Sequence, residues 1–169
     1  MSHCELVAVP LRQSAFEPFG DVIETAGGRP STINQGWAER YHDLAQIDVT
    51  GAGGRPVLDI VRTRPRTLPM AIRMVERHAL GSQAFIPLAR SRFAVVVARA
   101  GAAPKPSDLR AFISDGLQGV NYRPGVWHHP LLALDQISDF LVLHRGADAE
   151  DCEEFFFGSE EITLSRLTK

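Results

Sequence analysis

The chain has 169 residues, of which 44% are hydrophobic and 22% charged, and its formal net charge is −2. Domains of this length bury roughly two-thirds of their unfolded surface, so we expect one domain spanning residues 1–169. The balanced charge gives no general attraction for nucleic acid or an anionic membrane. The first ten residues lack a signal-peptide pattern, and no apolar run approaches the roughly 20 residues of a spanning helix. We therefore expect a cytoplasmic protein with a small-molecule ligand.

The two cysteines, Cys4 and Cys152, belong to no Cys-x-x-Cys pair. This excludes a disulfide framework and gives no sign of a zinc or redox motif, so we assign both a structural role.

The first third of the chain combines short elements with loops. A strand is predicted over 6–9, and Ser14 is expected to cap a brief helix that ends before Gly20. Two segments, 25–31 and 50–56, carry the glycine and proline residues of loops. The second of them lacks the Gly-Lys-Ser/Thr sequence of a phosphate-binding loop.

From residue 57 onward, short β-branched or alternating runs are separated by turn residues. No stretch with a helical period lies between them, so the pattern predicts a mainly β protein built as an antiparallel sandwich or barrel. The predicted strands cover 57–63, 70–78, 83–87, 93–98, 109–113, 119–122, 126–132, 137–144 and 155–157.

Three consecutive phenylalanines form the last predicted strand, Phe155 to Phe157. In a strand they point alternately to opposite faces, so one face packs on the core and the other needs cover. We expect a dimer surface at this strand.

Polar side chains suited to chemistry occur in two of the predicted strands. Glu76 and His78 are two residues apart and therefore share a face, and Gln83 opens the next strand. In the later strand His128 and His129 are adjacent, so only one of them can face the same cavity. Imidazole, carboxylate and amide groups then converge at the mouth of a barrel.

These residues carry a resemblance to a known family. Glu76-x-His78-x₄-Gln83 resembles a degenerate first cupin motif, and Gly125-Val-Trp-His128 resembles the second. Within the cupins, the chain resembles the ureidoglycolate lyase family in ordered blocks at 18–24, 33–36, 39–44, 76–87, 109–113 and 118–131.

The resemblance implies a cupin-like double-stranded β-helix, an antiparallel barrel with a few short helices. It also implies a homodimeric lyase of allantoin degradation, in purine metabolism, that splits ureidoglycolate into glyoxylate and urea. That reaction requires a base, an acid, and donors for the substrate carboxylate.

Motif position and strand parity favour His78 and His128 as the proton carriers, whereas His129 is expected to be scaffold. Arg40 and Arg62 are candidates for the substrate carboxylate; the alternative interpretation is an ordinary salt bridge. Three further residues are candidates to donate hydrogen bonds to the substrate: Asn34, Gln83 and Tyr122. Two aromatic residues are candidates for the walls of the pocket: Phe85 and Trp127. Either aromatic residue could equally belong to the core.

A metal is the open question. The positions that match the cupin ligands are Glu76, His78, Gln83 and His128, a set that could hold nickel, manganese or zinc with poorer charge compensation than usual. Nickel is suggested by the resemblance, and a metal-free site is equally consistent with the residues. Two other functions stay open: a non-catalytic cupin that binds a small carboxylate, and a metal-dependent oxygenase or isomerase acting on another hydroxy acid.

Overall fold

A computed structural model of the chain describes residues 3–148 and 151–166. Within these ranges the fold is mainly β, as predicted, with one short helix, α1 (Gln13–Phe16), and three single 3-10 turns. No helix described there is long and apolar enough to cross a membrane. The strands are β1 His3–Pro10, β2 Gly20–Ile23, β3 Ser31–Ile33, β4 Ala38–Arg40, β5 Arg55–Thr63, β6 Met70–Ala71, β7 Met74–His78, β8 Gln83–Pro87, β9 Phe93–Ala98, β10 Arg110–Ile113, β11 Gly119–Tyr122, β12 Trp127–His128, β13 Leu132–Ala133, β14 Ser138–Gly146, β15 Cys152–Phe156 and β16 Glu161–Arg166.

The strands form two large sheets and one separate hairpin. The larger sheet has the order β15-β7-β12-β9-β10-β1-β16-β6, with β13 also paired to β9. The smaller sheet has the order β2-β11-β8-β14-β5, and β3 pairs with β4 alone. One hydrophobic cluster draws side chains from both large sheets, including Phe85 and Val95, so the two sheets enclose a common core as in a cupin-like fold.

Strand β9 separates two hydrophobic cores. Phe93, Val95 and Val97 face the core between the sheets. Ala94, Val96 and Ala98 face a second core that also contains Trp127 and residues of β1 and β16. Every residue of β9 is buried, which explains why its sequence is a continuous apolar run without alternation.

Several predicted strands are confirmed and others need correction. The bounds predicted for β8, β9 and β11 agree with the structure, but 70–78 and 126–132 each divide into two short strands. In the second case Pro130 lies in the gap, and proline has no N–H for a sheet hydrogen bond. Strand β1 pairs in parallel with β10 and β16, so the sheets are not wholly antiparallel. The helix cap predicted at Ser14 is also wrong, because Arg12 occupies that position without a side-chain hydrogen bond.

The three consecutive phenylalanines, two of them in β15, alternate as predicted. Phe155 and Phe157 pack in the second core with ring centroids 5.3 Å apart, whereas 63% of Phe156 is exposed. A dimer surface at this strand stays a prediction.

The core between the sheets gives a direct test of the fold. Phe140 is fully buried and its ring meets Phe93 edge to face, with 5.2 Å between centroids. Because truncation leaves a cavity, we expect Phe140→Ala to lower the free energy of unfolding by about 3–5 kcal/mol. The matched variant Phe156→Ala should change it by roughly 0.5 kcal/mol or less, since that side chain is mostly exposed. Urea titration measures both, and equal losses would contradict the described packing.

Candidate active site

Three side chains with metal-binding or proton-transfer chemistry meet between β7 and β12. Glu76 and His78 lie on the same face of β7, and His128 of β12 is directly opposite Glu76 in the register. One potential ligand atom from each lies within 4.8 Å of the other two. We call Glu76, His78 and His128 the cluster.

His128 is held on every side, and only 1% of it is exposed. Its Nδ1 lies 3.0 Å from the carbonyl oxygen of Val126. Its Nε2 lies 3.0 Å from Oε1 of Gln83 and 3.5 Å from Oε1 of Glu76. The Tyr122 ring stacks on the imidazole at 4.3 Å between centroids and 16° between planes. The orientation of the ring is therefore fixed before a ligand arrives.

His78 has the opposite character. Its ring centroid lies 5.6 Å from that of His128, and its Nε2 is buried without a hydrogen-bond partner in the described part of the chain. Burial lowers the pKa of His78, and repulsion from His128 lowers it further. The imidazole is thus neutral near pH 7, with a nitrogen available to accept a proton or to bind a metal.

The pKa values of two other groups at the site, Glu76 and Tyr122, are also shifted. Burial alone would raise the pKa of the Glu76 carboxyl, but its hydrogen bond to His128 and the charges of the neighbouring histidines outweigh burial and lower it. Glu76 is therefore ionised at neutral pH. Burial raises the pKa of Tyr122, so its phenol stays protonated.

The smaller sheet supplies the opposite wall of the site. Tyr122, Gln83 and His144 lie directly across from one another on β11, β8 and β14. His144 also contacts Asp59, with 2.8 Å between Nε2 and Oδ2. The sequence analysis did not include His144 among the candidate site residues. His144 is four residues after the buried Phe140 in the same strand and therefore shares its face, which was the signal that could have placed it at the site.

Cys152 is a second residue that was missed at the site. On β15 it lies opposite His78, and its Sγ is 4.0 Å from Oε2 of Glu76. Nothing in the local sequence indicated this position, because the pairing of β15 with β7 joins segments more than 70 residues apart.

His129 lies outside the cluster, as strand parity predicts. Its Nδ1 is 2.8 Å from the carbonyl oxygen of Pro130, and its backbone N–H donates to the carbonyl of Val96. Burial lowers the pKa of His129.

The two predicted pocket walls belong to the cores. Phe85 shares a face with Gln83, but it packs against Tyr122 in the core between the sheets. Trp127 precedes His128 in an extended strand and so points to the other side, where its indole N–H donates to the carbonyls of Gly101 and Ala102. Two interpretations were left open for these residues, pocket wall and core, and the structure supports the core.

The structure does not bring three further candidates to the cluster. Arg62 forms a bidentate ion pair with Asp139, with distances of 2.7 and 2.8 Å. Asp139 is five residues from His144 along β14, which corresponds to about 17 Å. Arg40 and Asn34 belong to the separate β3–β4 hairpin, where both are exposed.

The cluster has a donor set that fits a divalent cation. His78 offers an unpartnered Nε2, and His128 has its other nitrogen on a backbone carbonyl, as metal-binding histidines usually do. Glu76 contributes a carboxylate, and Gln83 adds a neutral oxygen beside His128. Two imidazoles with oxygen ligands suit nickel, zinc or manganese.

Comparison with known proteins agrees with this geometry. A sequence model of the family described as "Ureidoglycolate lyase" matches residues 3–165. A ureidoglycolate lyase of Burkholderia cepacia is 56% identical over 145 residues, which cover 85% of this chain and 81% of the relative. A ureidoglycolate lyase of Azotobacter vinelandii is 48% identical over 155 residues, which cover 92% and 93% of the two chains. This chain therefore belongs to the ureidoglycolate lyase family.

Proposed function

We propose that this chain cleaves ureidoglycolate into glyoxylate and urea by acid–base elimination. The observation that carries the proposal is a pair of imidazoles: half-buried His78, whose buried Nε2 has no partner among the described residues, and buried His128, whose two nitrogens both lie against oxygens. The relatives named ureidoglycolate lyase, which align along most of the chain, identify the substrate.

The chemistry needs two proton transfers and no net oxidation. The reacting carbon of ureidoglycolate carries a hydroxyl group and the ureido nitrogen. A base removes the hydroxyl proton, the electrons of that O–H bond form the aldehyde C=O, and the C–N bond breaks. The departing nitrogen takes a proton from an acid, which yields urea.

The environments of the two histidines assign these roles. His78 is the base, because its pKa is lowered and its buried Nε2 has no partner to displace. We assign His128 as the acid, because its Nε2 lies against the oxygens of Glu76 and Gln83, which would accept a hydrogen bond from that nitrogen. Ionised Glu76 offsets the positive charge that passes between the two rings.

Other groups bind the substrate in this proposal. The Gln83 amide lies beside His128, and the protonated Tyr122 phenol belongs to the same wall, so both suit the hydroxyl and urea groups. Phe85 and Trp127 support this wall and β12 from the two cores.

A divalent cation would be held by Glu76, His78 and His128, with Gln83 as a further oxygen. Nickel is our first choice, from the family resemblance. Such a cation would polarise the oxygen substituents of the substrate. The same ring nitrogens of His78 and His128 would bind the cation or transfer protons. A nitrogen that binds the cation cannot transfer a proton at the same time.

We also propose that the protein is a cytoplasmic homodimer and acts in allantoin degradation, a part of purine catabolism. Large apolar side chains at the surface support self-association: Trp37, Leu58, Ile60 and Phe156 are exposed by 90%, 62%, 64% and 63%.

The purified protein should release glyoxylate and urea in equal amounts from ureidoglycolate. His78→Asn and His128→Asn should each lower kcat/KM by about 100-fold or more, because each removes a positioned proton carrier. The matched variant His3→Asn, at an exposed residue, should keep the full rate. No release above the uncatalysed background would refute the activity; full rates in both site variants would refute only the assigned mechanism.

The pH dependence tests which state of His78 is active. Because burial lowers its pKa below the ordinary value of 6.5, more than half of His78 is neutral at that pH. We expect the acidic limb of kcat/KM, along which His78 gains a proton, to have its midpoint below about pH 6.5. A midpoint above about pH 7 would contradict the assignment.

Chelation separates proton transfer from metal catalysis. We expect activity to persist after treatment with a chelator, because the elimination needs only an acid and a base. Nickel at 100 times its dissociation constant should still raise the free energy of unfolding by about 2.7 kcal/mol. Glu76→Gln should reduce that increase. Loss of activity with the chelator, and its return with nickel, would overturn the acid–base assignment.

A further inference from the structure

Arg145 of β14 is the one buried arginine or lysine among the side chains that the structure describes, and 8% of it is exposed. Its Nε donates to the carbonyl oxygen of Gly51 at 2.9 Å, and its Nη2 donates to that of Ala52 at 2.8 Å. Its Nη1 is buried without a hydrogen-bond partner, and no carboxylate in the described ranges forms an ion pair with it. An arginine side chain keeps its positive charge in proteins, and a buried charge without an opposite partner lowers stability.

Two glycines leave room for the Arg145 side chain. A Cβ added to Gly81 would lie 2.4 Å from Cβ of Arg145, and a Cβ added to Gly54 would lie 2.5 Å from its Nε. The backbone conformation of these two positions does not require glycine, because φ of Gly54 is −72° and Gly81 is not among the glycines with positive φ. Close contact with the arginine therefore explains both glycines. The side chain of Arg145 is held between two chain segments.

One of these segments is a turn that joins two residues of the site. Residues 79–82 connect His78, the last residue of β7, to Gln83, the first residue of β8. Each residue has only two soft dihedral angles, so a turn this short passes a displacement of Gly81 on to both of its ends. The distance between the His78 ring and the Gln83 amide therefore depends on the contact of the turn with Arg145.

Arg145 holds the same turn by a second route. Its guanidinium binds the carbonyl oxygens of Gly51 and Ala52. Asp48, in the segment just before them, exchanges two hydrogen bonds with Ser82 of the turn. The N–H of Ser82 donates to the carbonyl oxygen of Asp48 at 2.7 Å, and the N–H of Asp48 donates to Oγ of Ser82 at 2.8 Å. This segment thus connects the guanidinium to the turn.

The backbone of Arg145 belongs to the wall of the site. His144 directly precedes Arg145 and lies opposite Gln83 in the register of β14 and β8. Adjacent residues of a strand point to opposite faces, so the Arg145 side chain lies on the outer face of the sheet. Gln83 in turn has its Oε1 3.0 Å from Nε2 of His128. The arginine therefore supports residues that line the site without a printed contact to the cluster itself.

We propose that Arg145 is a positioning residue, which sets the distance between His78 and Gln83 through the turn 79–82. This inference rests on the proposed function. The guanidinium acts on the reaction only through the turn and the segment that it holds. A misplacement of about 1 Å at a site can lower the rate about 100-fold. Removal of an unpaired buried charge, by contrast, does not lower stability. Activity and stability should therefore respond differently to the loss of this arginine.

Arg145→Met separates the two effects. Methionine keeps an unbranched stem between the glycines but has no charge and no donor. Gly51 and Ala52 are exposed, so water can replace the lost hydrogen bonds to their carbonyls. We expect the midpoint of urea unfolding to stay the same or rise, and kcat for ureidoglycolate to fall by about 10- to 100-fold. Arg92→Met, which removes a more exposed guanidinium paired with Asp135, should keep the full kcat. A lower midpoint with full kcat in Arg145→Met would overturn the proposal.

Arg145→Lys tests rescue by a conservative change. The ammonium group can donate to the same two carbonyls, although it lacks the planar fork of the guanidinium. We expect kcat of this variant to exceed that of Arg145→Met by about tenfold. Equal rates in the two variants would contradict a positioning role, because the hydrogen bonds would then make no difference to the reaction.

NMR signals of the histidine rings report the position of His78 independently of turnover. In Arg145→Met the ring-nitrogen signals of His78 should shift or broaden relative to the wild-type protein. The signals of exposed His3 should stay unchanged, and Arg92→Met should leave both rings as they are. Unchanged His78 signals in Arg145→Met would overturn the proposal.

The NMR result also keeps the two proposals distinguishable. If the wild-type protein releases no glyoxylate, the proposed function fails, and the His78 signals alone decide on the positioning role of Arg145. If the wild-type protein is active and folded Arg145→Met keeps the full kcat, the proposed function stands and the positioning role fails.

Discussion

The two residues of β12 impose the constraint on which both the core and the site depend. Adjacent side chains of a strand point to opposite faces, so Trp127 enters the second core while His128 enters the space between the sheets. The same strand pairs with β7 on one side and β9 on the other. Packing of the indole therefore fixes the backbone that carries the imidazole, and the site inherits its geometry from the core.

The cluster is an expensive arrangement for a protein interior. A carboxylate that loses much of its contact with water needs a partner, and half-buried Glu76 is paired with His128. The unpartnered Nε2 of His78 has no such compensation, and a buried polar atom left unsatisfied costs about 1–3 kcal/mol. A fold that gains nothing from this atom would replace it with an apolar side chain. Such local violations are expected where binding or catalysis takes place.

The local pattern of apolar and polar residues correctly predicted several strands of the fold. It defined β8, β9 and β11, and, together with the cupin-like motif positions, it grouped Glu76, His78, Gln83 and His128 at one site. It failed where long-range pairing decides the outcome. The parallel pairing of β1, the approach of Cys152 to the cluster and the strand β16 depend on partners distant in sequence.

Polarity also misled the assignment of individual residues. Arg62 looked suited to a carboxylate ligand, but the register of β5 with β14 places Asp139 opposite it. The hairpin of β3 and β4 was not predicted, since its strands are short and mostly polar and show no apolar alternation. The sequence also offered no sign that Trp37 of this hairpin is 90% exposed in the structure.

A crystal structure of the protein with bound glyoxylate tests the central claim most directly, because glyoxylate retains the carboxylate and the carbon at which the bond breaks. We predict that its aldehyde group lies within hydrogen-bond distance of His78 or His128, beside Gln83. Glyoxylate bound only elsewhere, for example in the groove between β1 and α1 that is lined by Arg12, Glu24 and Gln118, would contradict the account.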